Sequence, residues 1–382
     1  MKHDRKIIYL AGFLFSIPIA LTSYINSSFL ETYINEYYVS ILYIIASIIT
    51  IWGLLKMPKI VTSIGNRLTI LLFSLLIFSS LILLAIGKTA SIIIPSFIIY
   101  FISINFIVAS LDIFIEDFSK NLSIGSLRGF YLTIINFAWI FAQLISGSII
   151  SKSSFSGIYF FSAGFMILVL LIFIFFLRDF KDPEYKKISV LKTIKSFIHK
   201  KHISKIYLIN LILKFFYSWM VIYTPIYLHE YIGFDWTQIG IIFSIMLIPF
   251  VLLDFPLGKL SDKIGEKKIL IYGFLIIIPS VLIIPLITES KLIIWIIVFF
   301  LTRVGAATIE IMSESYFFKA VNEKDADEIS FFRNTLPLSY IIGPLIAIPV
   351  LLLVPSFEYL FFILGTVLLM GFFITLRLQD IK

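Results

Sequence analysis

Apolar runs of about twenty residues alternate with short polar intervals along the whole chain. Twelve such runs lie near 7–28, 37–55, 68–87, 91–113, 129–151, 157–177, 206–228, 237–257, 269–287, 291–315, 334–354 and 357–376. Crossing the hydrocarbon core of a bilayer takes about 20 apolar residues in a helix. A backbone in lipid must also satisfy its own hydrogen bonds, which leaves helices or closed barrels. Barrel strands alternate apolar and polar positions, and runs such as Ile167–Phe176 contain no alternation. The pattern therefore predicts an all-α membrane protein with twelve transmembrane helices.

The polar intervals carry a second signal. With the amino terminus inside, the cytoplasmic segments hold 26 of the 31 Lys and Arg residues. The external loops hold Lys88, Lys152 and Lys291, and two cations, Lys214 and Arg303, fall within runs. Positive residues are retained on the cytoplasmic side, so the bias predicts that both termini are cytoplasmic. The net charge of +8 then reflects topology rather than a nucleic-acid surface. At 382 residues, 60% hydrophobic and 14% charged, the chain sits far from a soluble domain, where about 25% of residues are charged. The apolar run after Met1–Lys6 is too long for a cleaved leader and lacks a small-residue cleavage site, so it is expected to be the first helix. There is no cysteine, and hence no disulfide or thiolate chemistry. Heavy use of Ile and Lys suggests an AT-rich prokaryotic genome and a cytoplasmic (inner) membrane.

The longest polar interval splits the chain into residues 1–178, a linker at 179–205, and residues 206–382. The linker carries Lys181, Lys186, Lys187, Lys192, Lys195, Lys200, Lys201 and Lys205, with Leu191, Ile194 and Ile198 at helical spacing. It reads as a basic amphipathic helix on the anionic inner leaflet. The flanking halves repeat at an offset near 200. Phe29-Leu30-x-x-Tyr33-Ile34 recurs as Tyr227-Leu228-x-x-Tyr231-Ile232. Pro58-Lys59-Ile60-x-x-x-x-Gly65-x-Arg67 recurs as Gly258-Lys259-Leu260-x-x-x-x-Gly265-x-Lys267. The spacing of Asn105, Asp112 and Glu116 is repeated by Arg303, Glu310 and Glu314.

The stretch Gly258-x-Leu260-x-Asp262-Lys263-x-Gly265-x-Lys267-x-x-Leu270 resembles the signature loop of the major facilitator superfamily (MFS) of transporters. That resemblance implies two six-helix bundles related by a pseudo-two-fold axis normal to the membrane. It also implies that the loop is a gating latch. Gly258 and Gly265 would allow the turn, Asp262 would cap a neighbouring helix, and Glu314 would be the acid that pairs with the loop's cations. Glu266 stands where the family usually has Arg, which leaves Lys267 and Lys268 as the cations. Asp112 and Glu116 are the corresponding acids of the first half. There the loop has Pro58 and Thr62 in place of Gly and Asp, so any strong latch is expected in the second half.

An ionisable group inside a span is costly and usually faces a partner or a cavity. At about 100° per residue, Arg303, Glu310 and Glu314 share one helix face. Arg303 reads either as a substrate anchor, alone or in a proton-coupling pair with Glu310, or as half of a static ion pair with it. Lys214, about 13 Å into its span, either snorkels to the surface or enters a cavity. The family builds its cavity from the first, fourth, seventh and tenth helices. This adds Tyr24, Asn26, Asn105, Tyr217 and Tyr223 as substrate-binding candidates, and Asn136 and Gln143 join them from the fifth span.

The function expected is secondary transport of a small, anionic solute by alternating access, with Glu310 as the proton-coupling group and the chain a monomer. An uncoupled facilitator and a non-transporting receptor or scaffold on the same fold are the alternatives. The chain has no His-Glu-x-x-His or Gly-x-Ser-x-Gly, and Gly87-Lys88-Thr89 lacks the upstream glycine of a phosphate loop, so no enzyme activity is expected. No cofactor is expected, and His199 and His202 without further ligands do not make a metal site.

Overall fold

A computed structural model describes residues 2–119, 124–176, 201–320, 332, 334–354 and 356–379. Among them all regular structure is helical: α1 (Lys2–Ser23), α2 (Asn26–Glu31), α3 (Glu36–Ile64), α4 (Asn66–Ile86), α5 (Ala90–Ser119), α6 (Ile124–Phe176), α7 (Lys201–Ile226), α8 (Trp236–Met246), α9 (Ile248–Ile264), α10 (Glu266–Leu282), α11 (Leu292–Ala320), α12 (Thr335–Leu353) and α13 (Tyr359–Leu376). A π turn, Tyr227–Tyr231, prolongs α7. Among the described residues ten stretches are long and apolar enough to cross a membrane, and Tyr9–Ser23 is a shorter apolar helix. One of the ten, Thr133–Phe176, contains both the fifth and sixth expected spans and is broken at Ser154. The eighth expected span is interrupted at Leu247, ahead of Pro249 in the first turn of α9. Most of the predicted 179–205 linker lies outside the described residues. Large apolar side chains stand exposed along the outside of the helices, up to 83% at Leu353. In water such surface would drive association; here its solvent is lipid.

The chain divides into two compact units. The first comprises Met1–Lys187 and Asp235–Ser244, the second Ile188–Phe234 and Ile245–Lys382. In the first, α1 lies against α6, α4 against α5 and α6, and α3 against α5. In the second, α11 lies against α7, α9 and α10, while α7 also meets α12 and α13. The α10–α11 contact is a crossing of two glycines. A Cβ on Gly305 would stand 2.7 Å from the Gly273 carbonyl oxygen, so only the bare backbone fits. Helices in lipid associate by such close approach, because burying apolar surface brings no gain there. This crossing sets how near α11 comes to its neighbours.

The repeat seen in the sequence reappears in backbone geometry. Gly65 (φ 81°, ψ 156°) joins α3 to α4, and Gly265 (φ 84°, ψ 152°) joins α9 to α10. Each donates its N–H to a carbonyl of the helix it ends, Val61 and Ser261 respectively. Reversing direction through one residue demands a left-handed φ, which glycine adopts without a Cβ clash. The turn is tighter than the motif suggests. Gly258 lies inside α9 and takes no part in it, because the helix continues to Ile264. The break in α6 uses a similar conformation at Ser154 (φ 61°, ψ −172°), the one non-glycine residue with positive φ among those described. That region costs a side-chain-bearing residue about 1–3 kcal/mol. Ser154→Gly is therefore expected to raise the melting temperature of the detergent-solubilised protein, and Gly265→Ala to lower it. A shift of the same sign in both variants would show that the turn conformation is not what limits stability.

Candidate functional site

The seam between α7 and α11 holds Lys214 and Glu310, with Arg303 further along α11. Lys214 Nζ lies 2.5 Å from Glu310 Oε1, and the Tyr217 hydroxyl donates to Glu310 Oε2 at 2.9 Å. Residues 214 and 217 are three apart, so both point from one face of α7 toward the same carboxylate. Arg303 is 1% exposed, with its guanidinium 4.9 Å from the Phe216 ring centre and 5.9 Å from that of Tyr217. Glu310 thus pairs with Lys214 and not with Arg303. The reason is axial distance: seven residues along α11 separate Arg303 from Glu310 by about 10 Å. The neighbouring helix brings Lys214 closer. Lys214 thus reaches across to α11 within the second unit.

Exposure distinguishes the members of this cluster. The side chains of Lys214 and Glu310 remain 16% and 25% exposed, whereas Arg303 is sealed among aromatic rings. A charged pair left partly open at this depth belongs on an aqueous face, because ionised groups against lipid are strongly disfavoured. One turn further along the seam, the Asn210 amide donates to Ser313 Oγ at 3.3 Å and accepts from Thr335 Oγ1 at 2.8 Å. This neutral rung ties α7, α11 and α12 together beside the ion pair. Asn210 is four residues from Lys214, and Ser313 three from Glu310, so the two rungs stack.

The remaining substrate-binding candidates do not join this cluster. Tyr223 is fully buried between Trp219 and Phe357. In the first unit, Tyr24 meets Trp139 and Phe243, Asn26 accepts from the Tyr159 hydroxyl at 2.8 Å, and Gln143 donates to the Ala20 carbonyl. The Thr22 and Tyr100 hydroxyls share a bond of 2.5 Å. Asn105 donates to Phe101 of its own helix at 2.9 Å, and Asn136 is half-buried on α6. All of these groups are neutral. Among the described residues no group of three or more His, Asp and Glu could hold a metal ion.

At the far end of α11 lies a link that the sequence pattern did not reveal. Glu266, the first residue after the Gly265 turn, is 2% exposed. It pairs with Lys319 at 2.7 Å and accepts from the Ser315 hydroxyl at 3.1 Å. The loop resemblance marked Glu266 as a departure that removed a cation. The structure instead places an acid at the turn and the cation on α11. The corresponding residue of the first half is Asn66, which donates to the Ser110 carbonyl of α5 at 3.0 Å. In both halves the residue after the turn glycine fastens to the next helix, with charges in the second and without them in the first. The shared register of Gly65-Asn66 and Gly265-Glu266 was the available signal. Lys267 and Glu314 are half-buried, and the side chains of Asp112, Glu116 and Asp262 lie outside the described residues.

Apolar helices of membrane-spanning length, with a charged, partly open seam between two of them, are the arrangement of a multi-pass membrane protein. The model of the Major Facilitator Superfamily matches residues 8–336, and again 208–381. The chain belongs to the Major Facilitator Superfamily, and by that membership it is a transporter rather than an enzyme. Its fold is similar to that of the nucleoside transporter NupG, with a TM-score of 0.78 at 11% identity, covering 99% of this chain and 100% of NupG. A single-residue variant of NupG gives 0.76 at 12% identity with the same coverage. No curated protein sequence matches the chain.

A buried carboxylate left without its partner is strongly destabilising, whereas the intact pair is close to neutral. Lys319→Glu should therefore lower the melting temperature sharply, and adding Glu266→Lys should restore most of the loss. A double variant no more stable than the single one would mean that the pair does not fasten the turn to α11.

Proposed function

We propose that this chain is a secondary transporter that moves a small solute across the cytoplasmic membrane of a prokaryote by alternating access. In this reading twelve helices form two six-helix bundles, residues 1–178 and 206–382, joined by the 179–205 linker. Both termini are cytoplasmic and the chain works as a monomer. The positive-residue bias and the family membership support that arrangement.

Glu310 is the proton-coupling group. The observation that carries this is the carboxylate held by both Lys214 and Tyr217 on a partly exposed face. With Glu310 ionised, the cluster of Lys214, Glu310 and Arg303 carries one net positive charge. Protonation of Glu310 releases Lys214 and raises that charge to two. A solute bearing a carboxylate or phosphate then binds more tightly to the protonated form, and by reciprocity the solute favours protonation. Proton and anion therefore cross together. The latch residues of the turn, Gly265, Asp262, Lys267 and Glu314, act with Asp112 and Glu116 in the exchange between states.

A second reading is an uncoupled facilitator for an uncharged polar solute. The closed, internally neutral Lys214–Glu310 pair supports it, as does the fold likeness to a nucleoside transporter. Liposomes containing the purified chain separate the two. Coupled transport predicts accumulation of a carboxylate or phosphate solute under an imposed proton gradient. Glu310→Gln is expected to abolish that accumulation while leaving solute exchange intact, and Lys214→Gln to weaken solute binding about tenfold or more, as loss of one charge-assisted contact implies. Flux of a nucleoside indifferent to the gradient would establish the facilitator instead. Absence of flux for every solute bound in a thermal-shift screen would favour a receptor on this fold.

A further inference from the structure

The two arms of α6 on either side of Ser154 enclose a groove of about 550 Å³ that the solute site does not use. Its volume falls in the range of ligand sites, about 300–1,000 Å³. Ile145 and Ile149 form one wall and Phe160 and Phe161 the other, Lys152, Ser153 and Gly157 line its end nearest the break, and Ser148 lies one turn below Lys152. Lys152, Phe160 and Phe161 are exposed, and Phe141 continues the same face of the first arm.

Lys152 is the only charged residue between Thr133 and Phe176. It stands two residues before the break, so it lies where that membrane-crossing arm ends. From Lys152 to Phe141 the arm rises about 16 Å. One leaflet of the hydrocarbon core is about 15 Å deep, half of the full thickness. The groove, continued by Phe141, thus joins an apolar lane one leaflet long to a cation at headgroup level and a hydroxyl one turn, about 6 Å, below it. Ser148 lies four residues before Lys152, on the same face.

We propose that this groove is a binding site for an anionic phospholipid of the surrounding bilayer. One acyl chain lies between the isoleucines and the phenylalanines, and the phosphate is held by Lys152 and Ser148. The membrane setting selects the occupant, since the walls are apolar and belong to a span that lipid surrounds. The single positive charge selects an anionic headgroup over a zwitterionic one.

Native mass spectrometry of the full chain, with phosphatidylglycerol and phosphatidylcholine of identical chains offered together, tests the site. One phosphatidylglycerol should be retained preferentially by about fivefold, the factor one lysine contributes beside an anionic lipid. Lys152→Gln should erase the preference, and Lys152→Arg should keep it. Ile149→Trp, which narrows the groove, should reduce retention of both lipids, and the melting temperature in phosphatidylcholine verifies that each variant is folded. An undiminished preference in Lys152→Gln overturns the proposal. So does an equal thermal shift from glycerol phosphate alone, which would indicate a site for free anions. Neither outcome bears on solute transport.

Discussion

An ionised side chain inside a bilayer needs a counter-charge within reach, and the helices must then be held so that the reach is kept. In this protein the requirement falls on α7 and α11, which carry Lys214 and Glu310 at 2.5 Å from each other. Separating them would leave two partly buried charges, only 16% and 25% exposed, without their counter-charge. The rest of the second unit can be read as the means of preventing it. The Gly273–Gly305 crossing brings α10 against α11 at backbone distance. The Asn210 amide ties α7 to α11 and α12 one turn away. The Glu266–Lys319 link fastens the end of α11 to the α9–α10 turn.

The first unit meets the same constraint with neutral groups. Where the second half has Arg303 the first has Asn105, which bonds back to its own helix. Where the second has Glu266 the first has Asn66, which bonds to a backbone carbonyl. Tyr100 of α5 and Tyr159 and Gln143 of α6 tie these helices to α1 and α2 through hydroxyl and amide bonds. Such bonds need no counter-charge, so this half could exchange its ionic partners for polar ones while keeping the turn at Gly65. Among the described residues the two halves share the turn geometry at Gly65 and Gly265 and differ in whether the residue after it is charged.

Much of the fold was legible because its causes are periodic. Runs of about twenty apolar residues follow from the bilayer, and the repeat at offset 200 appears again as matching φ and ψ at Gly65 and Gly265. The turn itself was misjudged in extent, since Gly258 in a motif gives no sign that α9 continues through it. In the site, helical spacing put Arg303 and Glu310 on one face but said nothing of which neighbour arrives with a counter-charge. Lys214 is 96 residues from Glu310, and only packing determines that they meet. Glu266–Lys319 was hidden for a different reason. The family pattern set the expected polarity, and a reversed pair satisfies the same geometry with the opposite charges.

Fastening α11 at several depths also constrains how the ion pair could open. A slide of α11 along α7 would break the Gly273–Gly305 contact, where backbone atoms already touch, and would uncover Glu266. Rotation of α11 would move Ser313 away from Asn210 and leave buried polar groups unsatisfied, each a substantial loss. The inexpensive motion is in Lys214 itself, whose four-carbon stem reorients without disturbing a helix. A proton on Glu310 would therefore release a side chain rather than a segment.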